Sequence, residues 1–254
     1  MNSSLPLANR RIVVTRAEEQ SESIASELSR HGANVILVPT VRIIPAELSD
    51  EEELHISSFR DYDVIIFSSA NAARNFFHHL PTEKLTVKKP FIVAIGKKTA
   101  DAISEFGFKA DFIPGKSTSE ELIGELAGLD WHEKRVLQPA GNLSGDEIAE
   151  FVESNGGLLD KVVVYNTVPN DSIDANVQEQ IRAGQFDIVV FYSPSQVKAF
   201  LRVFGSEVLR GKEIAVIGPT TKKSAESHGL SVDIVPANST TEDLVTSLIE
   251  HENN

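Results

Sequence analysis

The second half of the chain repeats the first in a fixed register, which limits its fold more than any other property. YDVIIFSSANAARNFF from Tyr62 matches FDIVVFYSPSQVKAFL from Phe186, so that Asp63 answers Asp187 at an offset of 124. VAIGKKTADAISEFGFKADFIP from Val93 matches AVIGPTTKKSAESHGLSVDIVP from Ala215, with Gly96 answering Gly218 at an offset of 122. KSTSEELIGEL from Lys116 matches NSTTEDLVTSL from Asn238 at that same offset, and Arg11–Thr15 followed by Gly32 corresponds to Arg135–Pro139 followed by Gly156. Two unrelated α/β segments do not keep register for so long, so the chain holds two domains of one ancestry. Its 254 residues suit two domains of ordinary size.

Short β-branched runs alternate with segments of helical period, the pattern of parallel strands covered by helices. The expected strands are Arg11–Thr15, Asn34–Val38, Asp63–Ser68, Phe91–Ile95, Asp111–Ile113, Arg135–Gln138, Leu158–Tyr165, Asp187–Phe191, Glu213–Ile217 and Val232–Val235. Helices are expected over Glu19–His31, Asn71–His79, Lys97–Phe106, Ser119–Leu126, Asp146–Asn155, Ser195–Phe204, Thr220–His228 and Thr241–His251. The strands are apolar throughout instead of alternating, so both faces of each sheet should be covered. Pro39–Ala46 and Lys161–Pro169 alternate apolar and polar residues with no helix immediately following, at equivalent places in the two copies. A hinge of two extended crossings would explain them, although duplication alone suggests a single cut near Asp130.

Composition removes whole classes of function. With no cysteine there is no disulfide framework, thiolate nucleophile or zinc-thiolate site. A net charge of -13 disfavours nucleic acid and anionic membranes, since phosphate binding needs a basic face. The N-terminal MNSSLPLANRRIVVT lacks the cationic start and apolar run of a signal peptide, and no segment reaches membrane-spanning length, which predicts a cytoplasmic protein. Neither GxxxxGK[ST] nor GxGxxG occurs, and the seven histidines, His78-His79 included, show no ligand spacing. No nucleotide, metal or other cofactor is therefore expected.

In open α/β sheets, ligands bind outside the carboxyl ends of the strands. There the first copy carries Ser68-Ser69-Ala70-Asn71 and the second Tyr192-Ser193-Pro194-Ser195. Such residues cap helices, worth about 1 kcal/mol, and a helix start also presents unpaired N–H groups to an anion. Gly96-Lys97-Lys98-Thr99 and Gly218-Pro219-Thr220-Thr221-Lys222-Lys223 form a second pair of strand-to-helix turns, in which glycine allows close backbone approach. Ser117-Thr118-Ser119 and Ser239-Thr240-Thr241 read as capping sequences. Pro139-Ala140-Gly141-Asn142 ends another strand, and Arg16 ends the first; an arginine there is ordinarily a solvated surface charge. Tyr165, one of three tyrosines, supplies a phenol in the second hinge stretch, a weak acid able to give up a proton.

VVTR at the first strand, IIFSSANA, PAGN, VVVYNTV, FYSPSQV and above all AVIGPTTKKSAESHG, in this order and duplicated setting, resemble the uroporphyrinogen-III synthase family from about Arg11 to His251. The resemblance implies two flavodoxin-like domains with parallel sheets, joined by a two-stranded antiparallel ladder. It implies an exchange of segments that the repeat does not reveal: residues 1–39 with 168–254 form one domain and 42–165 the other, with hinge strands near 40–46 and 161–168. The implied activity is that of a cyclising hydro-lyase without cofactor. Hydroxymethylbilane loses its terminal hydroxyl to give an azafulvene, and the macrocycle closes, through a spirocyclic intermediate, with inversion of the last pyrrole, in a cleft that both domains line.

Carried over residue by residue, Tyr165 matches the family tyrosine proposed to assist hydroxyl loss. Thr220 and Thr221 with Gly218 match the GPTT turn, Ser193 and Ser195 the SPS turn, and Gly141 and Asn142 the PxGN turn. Arg16, Ser68, Ser69 and Lys97 complete the expected substrate-binding set. Lys97 and Lys98 stand where relatives carry smaller residues, and Asn71 where some carry a basic one. The implied partners are hydroxymethylbilane and uroporphyrinogen III, with a transient contact to the preceding deaminase, and the implied state is a monomer. The rival reading is a hinged two-domain protein that clamps a small polycarboxylate without chemistry. A response-regulator sensor fits poorly, because the first strand ends in Thr15-Arg16 instead of clustered aspartates.

Overall fold

The computed structural model describes residues 5–16, 21–80 and 89–253. Nine strands run in the order β1 (Arg11–Val14), β2 (Asn34–Leu37), β3 (Val41–Pro45), β4 (Val64–Phe67), β5 (Phe91–Ala94), β6 (Arg135–Gly141), β7 (Leu158–Pro169), β8 (Ile188–Phe191) and β9 (Glu213–Val216) among the described residues. The helices are α1 (Glu22–Arg30), α2 (Asp50–Ser57), α3 (Ala70–His78), α4 (Lys97–Ser104), α5 (Ser119–Leu126), α6 (Glu147–Ser154), α7 (Ala175–Arg182), α8 (Pro194–Phe204), α9 (Pro219–Ser227) and α10 (Thr241–Glu252). The expected α/β class with parallel sheets is what the structure shows.

The chain divides into two compact units, one of residues 1–42 and 168–254 and the other of 43–167. In the first unit the sheet order is β2-β1-β8-β9, all parallel, and Ile234 adds one parallel bridge to Ala215. In the second, the order is β3-β7-β6-β4-β5, parallel from β7 to β5, and Phe112 bridges Val93. The segments expected as strands over 111–113 and 232–235 thus make single bridges only. Aspartates clamp both: Asp111 Oδ2 accepts from Ile92 N (2.9 Å) and Asp233 Oδ2 from Ile214 N (2.8 Å). A second twinned clamp stands at the sheet starts, where Asp187 Oδ2 accepts from Arg11 N (2.8 Å) and Asp63 Oδ2 from Arg135 N (3.0 Å). Each supplies an acceptor to a strand's first amide, which would otherwise lack one.

Successive residues of a strand point to opposite faces, so apolar runs bury both. In the first unit Val13 and Val189 belong to one core, with α8 and α9 residues such as Phe200 and Ala225, while Ile12, Val14, Ile188 and Val190 belong to the other, with Leu28 of α1 and Leu248 of α10. In the second, Ile65 and Phe67 pack under Phe76 and Ile103 of α3 and α4; Ile66 and Val136 pack under Leu122, Ile148 and Trp131.

Two helices were not expected. α2 and α7 begin five and six residues after the extended stretches of β3 and β7. Both start with readable caps: Ser49 and Glu52 form a reciprocal capping box, and Asp174 accepts from the amides of Asn176 and Val177. With hydrophobic residues sparse in α2, periodicity gave no signal there; the caps did. The expected start of the first helix, at Glu19, lies outside the described residues. No helix among the described residues is long and apolar enough to cross a membrane.

Candidate functional site

Because β1, β2, β8 and β9 run parallel, as do β4, β5, β6 and β7, the residues following these strands gather on one edge of each sheet. In the second unit this carboxyl edge carries Ser68 and Ser69 after β4, Lys97 after β5, Gly141 and Asn142 at the end of β6, and Tyr165 in β7. Ser69 is the N-cap of α3, its Oγ accepting from Ala72 N at 3.0 Å, and it lies 3.3 Å from the Tyr165 phenol oxygen. The β6–β7 register shifts between Ala140 and Gly141, so that Gly141 faces Tyr165 directly. A side chain at 141 has no room: a Cβ would come within 2.6 Å of Tyr165 Oη. Asn142 then fixes the strand at the tyrosine and just beyond it. Its N donates to Tyr165 O (3.1 Å), its Nδ2 to Thr167 O (3.4 Å), and its Oδ1 accepts from Thr167 N (2.8 Å). The phenol is held by a glycine below, a serine beside it and a clamped backbone; Ser68 is half-buried next to Ser69, and Lys97 is exposed at the first turn of α4.

The first unit's edge is built differently. Ser193 caps α8, accepting from Gln196 N at 3.4 Å, and shares a 2.8 Å hydrogen bond with Ser195. Thr221 is buried in α9, whereas Thr220 is exposed. Gly218 and Gly96 were read as turns open to close ligand approach; the structure puts a serine against each instead. A Cβ at either position would collide with the hydroxyl of Ser239 or Ser117 respectively, so these glycines make room for the loops that cap α10 and α5. Arg16 is not the fully solvated charge ordinary for an arginine at a strand end. Half-buried, its guanidinium lies 4.7 Å from the centroid of the Tyr192 ring. Burial lowers its pKa and Tyr192 opposes the shift, yet an arginine stays cationic throughout the neutral range. Burial likewise pushes the Tyr192 phenol up, with Arg16 pulling it back.

Three further residues of this edge were not in the expected substrate-binding set: Thr15, Tyr192 and Gln196. Gln196, 5% exposed, accepts at Oε1 from Tyr192 N (2.8 Å) and lies 2.9 Å from Thr15 Oγ1, which also meets Val190 O at 2.7 Å. The duplication held the signal, since Gln196 answers Ala72, Tyr192 answers Ser68 and Arg16 answers Ala140. At two of these three positions the other copy carries an alanine, so the polar side chain is not required by the fold the copies share.

The model of the family described as "Uroporphyrinogen-III synthase HemD" matches residues 22–246, most of the chain and both units. The chain belongs to the uroporphyrinogen-III synthase family. Within that family it is similar to the uroporphyrinogen-III synthase of Chlorobaculum parvum, 27% identical over 231 residues, which are 89% of this chain and 92% of that one. It is also similar to the Synechococcus elongatus uroporphyrinogen-III synthase, 29% identical over 235 residues and 85% of each chain. Among solved structures, the uroporphyrinogen-III synthetase of Helicobacter pylori shares the fold, with a TM-score of 0.64 at 18% identity over 95% of this chain and 99% of that one. Uroporphyrinogen-III synthase membership places the chain in porphyrin biosynthesis and bears out the resemblance read from its motifs.

Proposed function

We propose that the chain cyclises hydroxymethylbilane to uroporphyrinogen III, with Tyr165 assisting departure of the terminal hydroxyl. The observation that carries this reading is the seat of Tyr165: a phenol on the carboxyl edge of a parallel sheet, over a glycine and beside Ser69 Oγ at 3.3 Å. The terminal pyrrole expels the hydroxyl, which takes a proton from the phenol and leaves as water. The azafulvene carbon so exposed is attacked by a pyrrole carbon of the far ring, closing the macrocycle. After rearrangement of the spirocyclic intermediate, loss of a ring proton restores aromaticity and balances the proton given at the start. Such chemistry needs mild acid assistance and strong positioning.

The substrate's carboxylates require cations and amides, while the chain as a whole carries -13. Support for local attraction comes from Arg16, Lys97 and the first turns of α3, α4, α8 and α9, which Ser69, Gly96, Ser193 and Gly218 precede. Ser68, Ser195, Gly141, Asn142, Thr220 and Thr221 complete the set. The strand order of each unit supports a flavodoxin-like description, and the hydrogen-bonded neighbours β3 and β7 support the two-stranded ladder. The proposal takes the enzyme to be a hydro-lyase acting as a cytoplasmic monomer that meets the preceding deaminase transiently.

Product analysis tests the reading. Hydroxymethylbilane closes spontaneously to the symmetric isomer, so the chain should divert it to the inverted one. A product mixture unchanged by the protein would defeat the proposal and leave a polycarboxylate-binding protein in its place.

A further inference from the structure

We infer that Lys161 is a positioning residue that locks the strand irregularity on which Tyr165 is seated, an inference that rests on the proposed function only for the part Tyr165 plays in the reaction. β6 and β7 keep register from Arg135 with Leu158 to Ala140 with Val163; Gly141 then faces Tyr165, so β7 has one extra residue, Val164, at that point. A slip of one residue there would turn Tyr165 to the other face of the sheet. Asn142 holds the far flank of the irregularity, through Tyr165 O and the backbone of Thr167. Lys161, four residues before the tyrosine in the same strand, holds the near one.

The Lys161 ammonium has three protons and finds three acceptors: Ser144 O at 2.9 Å, Gly145 O at 3.0 Å and Asp146 Oδ1 at 2.8 Å. It thereby gathers the loop that leads from β6 into α6. That loop opens with a tight turn, in which Ser144 N donates to Gly141 O (3.0 Å) and Gly141 N to Ser144 Oγ (3.1 Å). Contacts thus run from Lys161 through Ser144 to Gly141, the residue whose missing side chain leaves room for the Tyr165 ring.

The contact takes the place of a helix cap. Asp146 is the N-cap of α6, where an aspartate ordinarily accepts from the first helix amides, yet it makes no capping hydrogen bond and turns to Lys161 instead. Nor does the sheet require a lysine at this place. Lys161 pairs with Gln138 of β6, and the matched pair in the other copy is Leu37 with Val14, so the same kind of sheet forms with apolar residues at both positions. Gln138 is buried, and its Oε1 has no hydrogen-bond partner among the described residues. Of the two polar residues that distinguish this copy, the lysine is the one that ties the loop.

Amide hydrogen exchange and steady-state rates on the same proteins test this. Lys161→Met should speed exchange at Gly141, Asn142 and Ser144 about tenfold, while the amides of β1 and β8 keep their protection. It should lower kcat for the inverted isomer about tenfold with KM nearly unchanged, since the phenol loses its aim and the binding groups do not. In the Tyr165→Phe background the same substitution should leave kcat where it was, whereas a general loosening of the unit would lower it again. Lys161→Arg, which keeps a cation on a long stem, should recover part of both effects, and it keeps the test open if the methionine variant fails to fold. Gln138→Val, the matching polar-to-apolar change one strand away, should move neither. Unchanged exchange at the three amides, an unchanged kcat, a loss that recurs in full in the Tyr165→Phe background, or equal losses from Gln138→Val would each overturn the inference. A chain that makes only the symmetric isomer while Lys161→Met still frees these amides would overturn the proposed function and leave the lock standing.

Discussion

The phenol oxygen of Tyr165 lies 3.3 Å from Ser69 Oγ, whose lone pair already accepts the amide proton of Ala72. Ser69 has one proton to give. Directed at Tyr165, it leaves the phenol's own proton free for a leaving hydroxyl and steadies the phenolate that remains. Tyr165→Phe should therefore lower kcat about ten- to a hundredfold without abolishing turnover, because the pyrrole itself drives the hydroxyl out. Ser69→Ala should lower it less and also cost about 1 kcal/mol of stability as a lost cap. In the Tyr165→Phe background, Ser69→Ala should leave kcat where it was and still lower the melting temperature. Initial rates of inverted-isomer formation and thermal unfolding on the same four proteins check this.

Gly141 and Tyr165 share one volume. Gly141→Ala puts a methyl group into the ring and hydroxyl of Tyr165, with a cost of about 1–3 kcal/mol for the overpacked site. The expected result is a loss of kcat comparable to that of Tyr165→Phe, because the phenol must move. Replacing Tyr165 by Leu first should make the later Gly141→Ala change nearly free in stability. Chemical denaturation of the double-mutant set measures the coupling directly.

The duplication made the sheets legible: nearly every strand and helix placed from matched segments has its counterpart in the structure, because β-branched runs and helical periods encode them locally. What it hid lay where the copies differ. The stretch near Val41 reads as extended, but nothing local shows that β3 and β7 lie side by side, since that pairing joins residues far apart in sequence. Tyr165 and Ser69 were legible separately as strand-end residues; their 3.3 Å separation depends on a register shift at Ala140 that leaves no mark in sequence. The half-burial of Arg16 on an aromatic face was not legible, because it is set by Tyr192, far along the chain. Gly96 and Gly218, read as points of close ligand approach, also make room for serine hydroxyls some twenty residues further on, which their own sequence does not show.

Those two glycines predict different rescues. A Cβ at 218 would meet the hydroxyl of Ser239 while staying 3.3 Å from its Cβ; at 96 it would come within 2.8 Å of the Cβ of Ser117 as well. Gly218→Ala should thus cost about 1–3 kcal/mol and be largely repaired by Ser239→Ala, whereas Gly96→Ala should need Ser117→Gly for the same relief. Melting curves of the single and double variants decide it, and repair of Gly96→Ala by Ser117→Ala would show that the loop yields.

Acid stability should depend on Asp187. Its carboxylate is held below the usual range, first by the Arg11 guanidinium at 2.9 Å, against some burial, and then by the Arg11 amide. A depressed folded pKa contributes stability above the unfolded value of about 4, and the contribution fades as pH falls through the folded value. Asp187→Asn should therefore be less stable at neutral pH and lose the least on acidification, the two proteins converging as Asp187 becomes protonated. Unfolding midpoints from pH 7 down to 3 give both slopes.

Lys97 sets stability against binding. It opens α4 with Lys98 beside it and no acidic residue in that turn, placing positive charge where a helix already presents its positive end. For the fold alone an acidic residue is better by about 0.3–1 kcal/mol, so Lys97→Glu should raise the melting temperature slightly. If the lysine stands there for an anionic substrate, the same variant should raise KM several-fold with kcat nearly unchanged, and raised salt should narrow the gap. A more stable Lys97→Glu protein with an unaltered KM would remove Lys97 from the substrate-binding set and leave the second unit to bind through amides and hydroxyls alone.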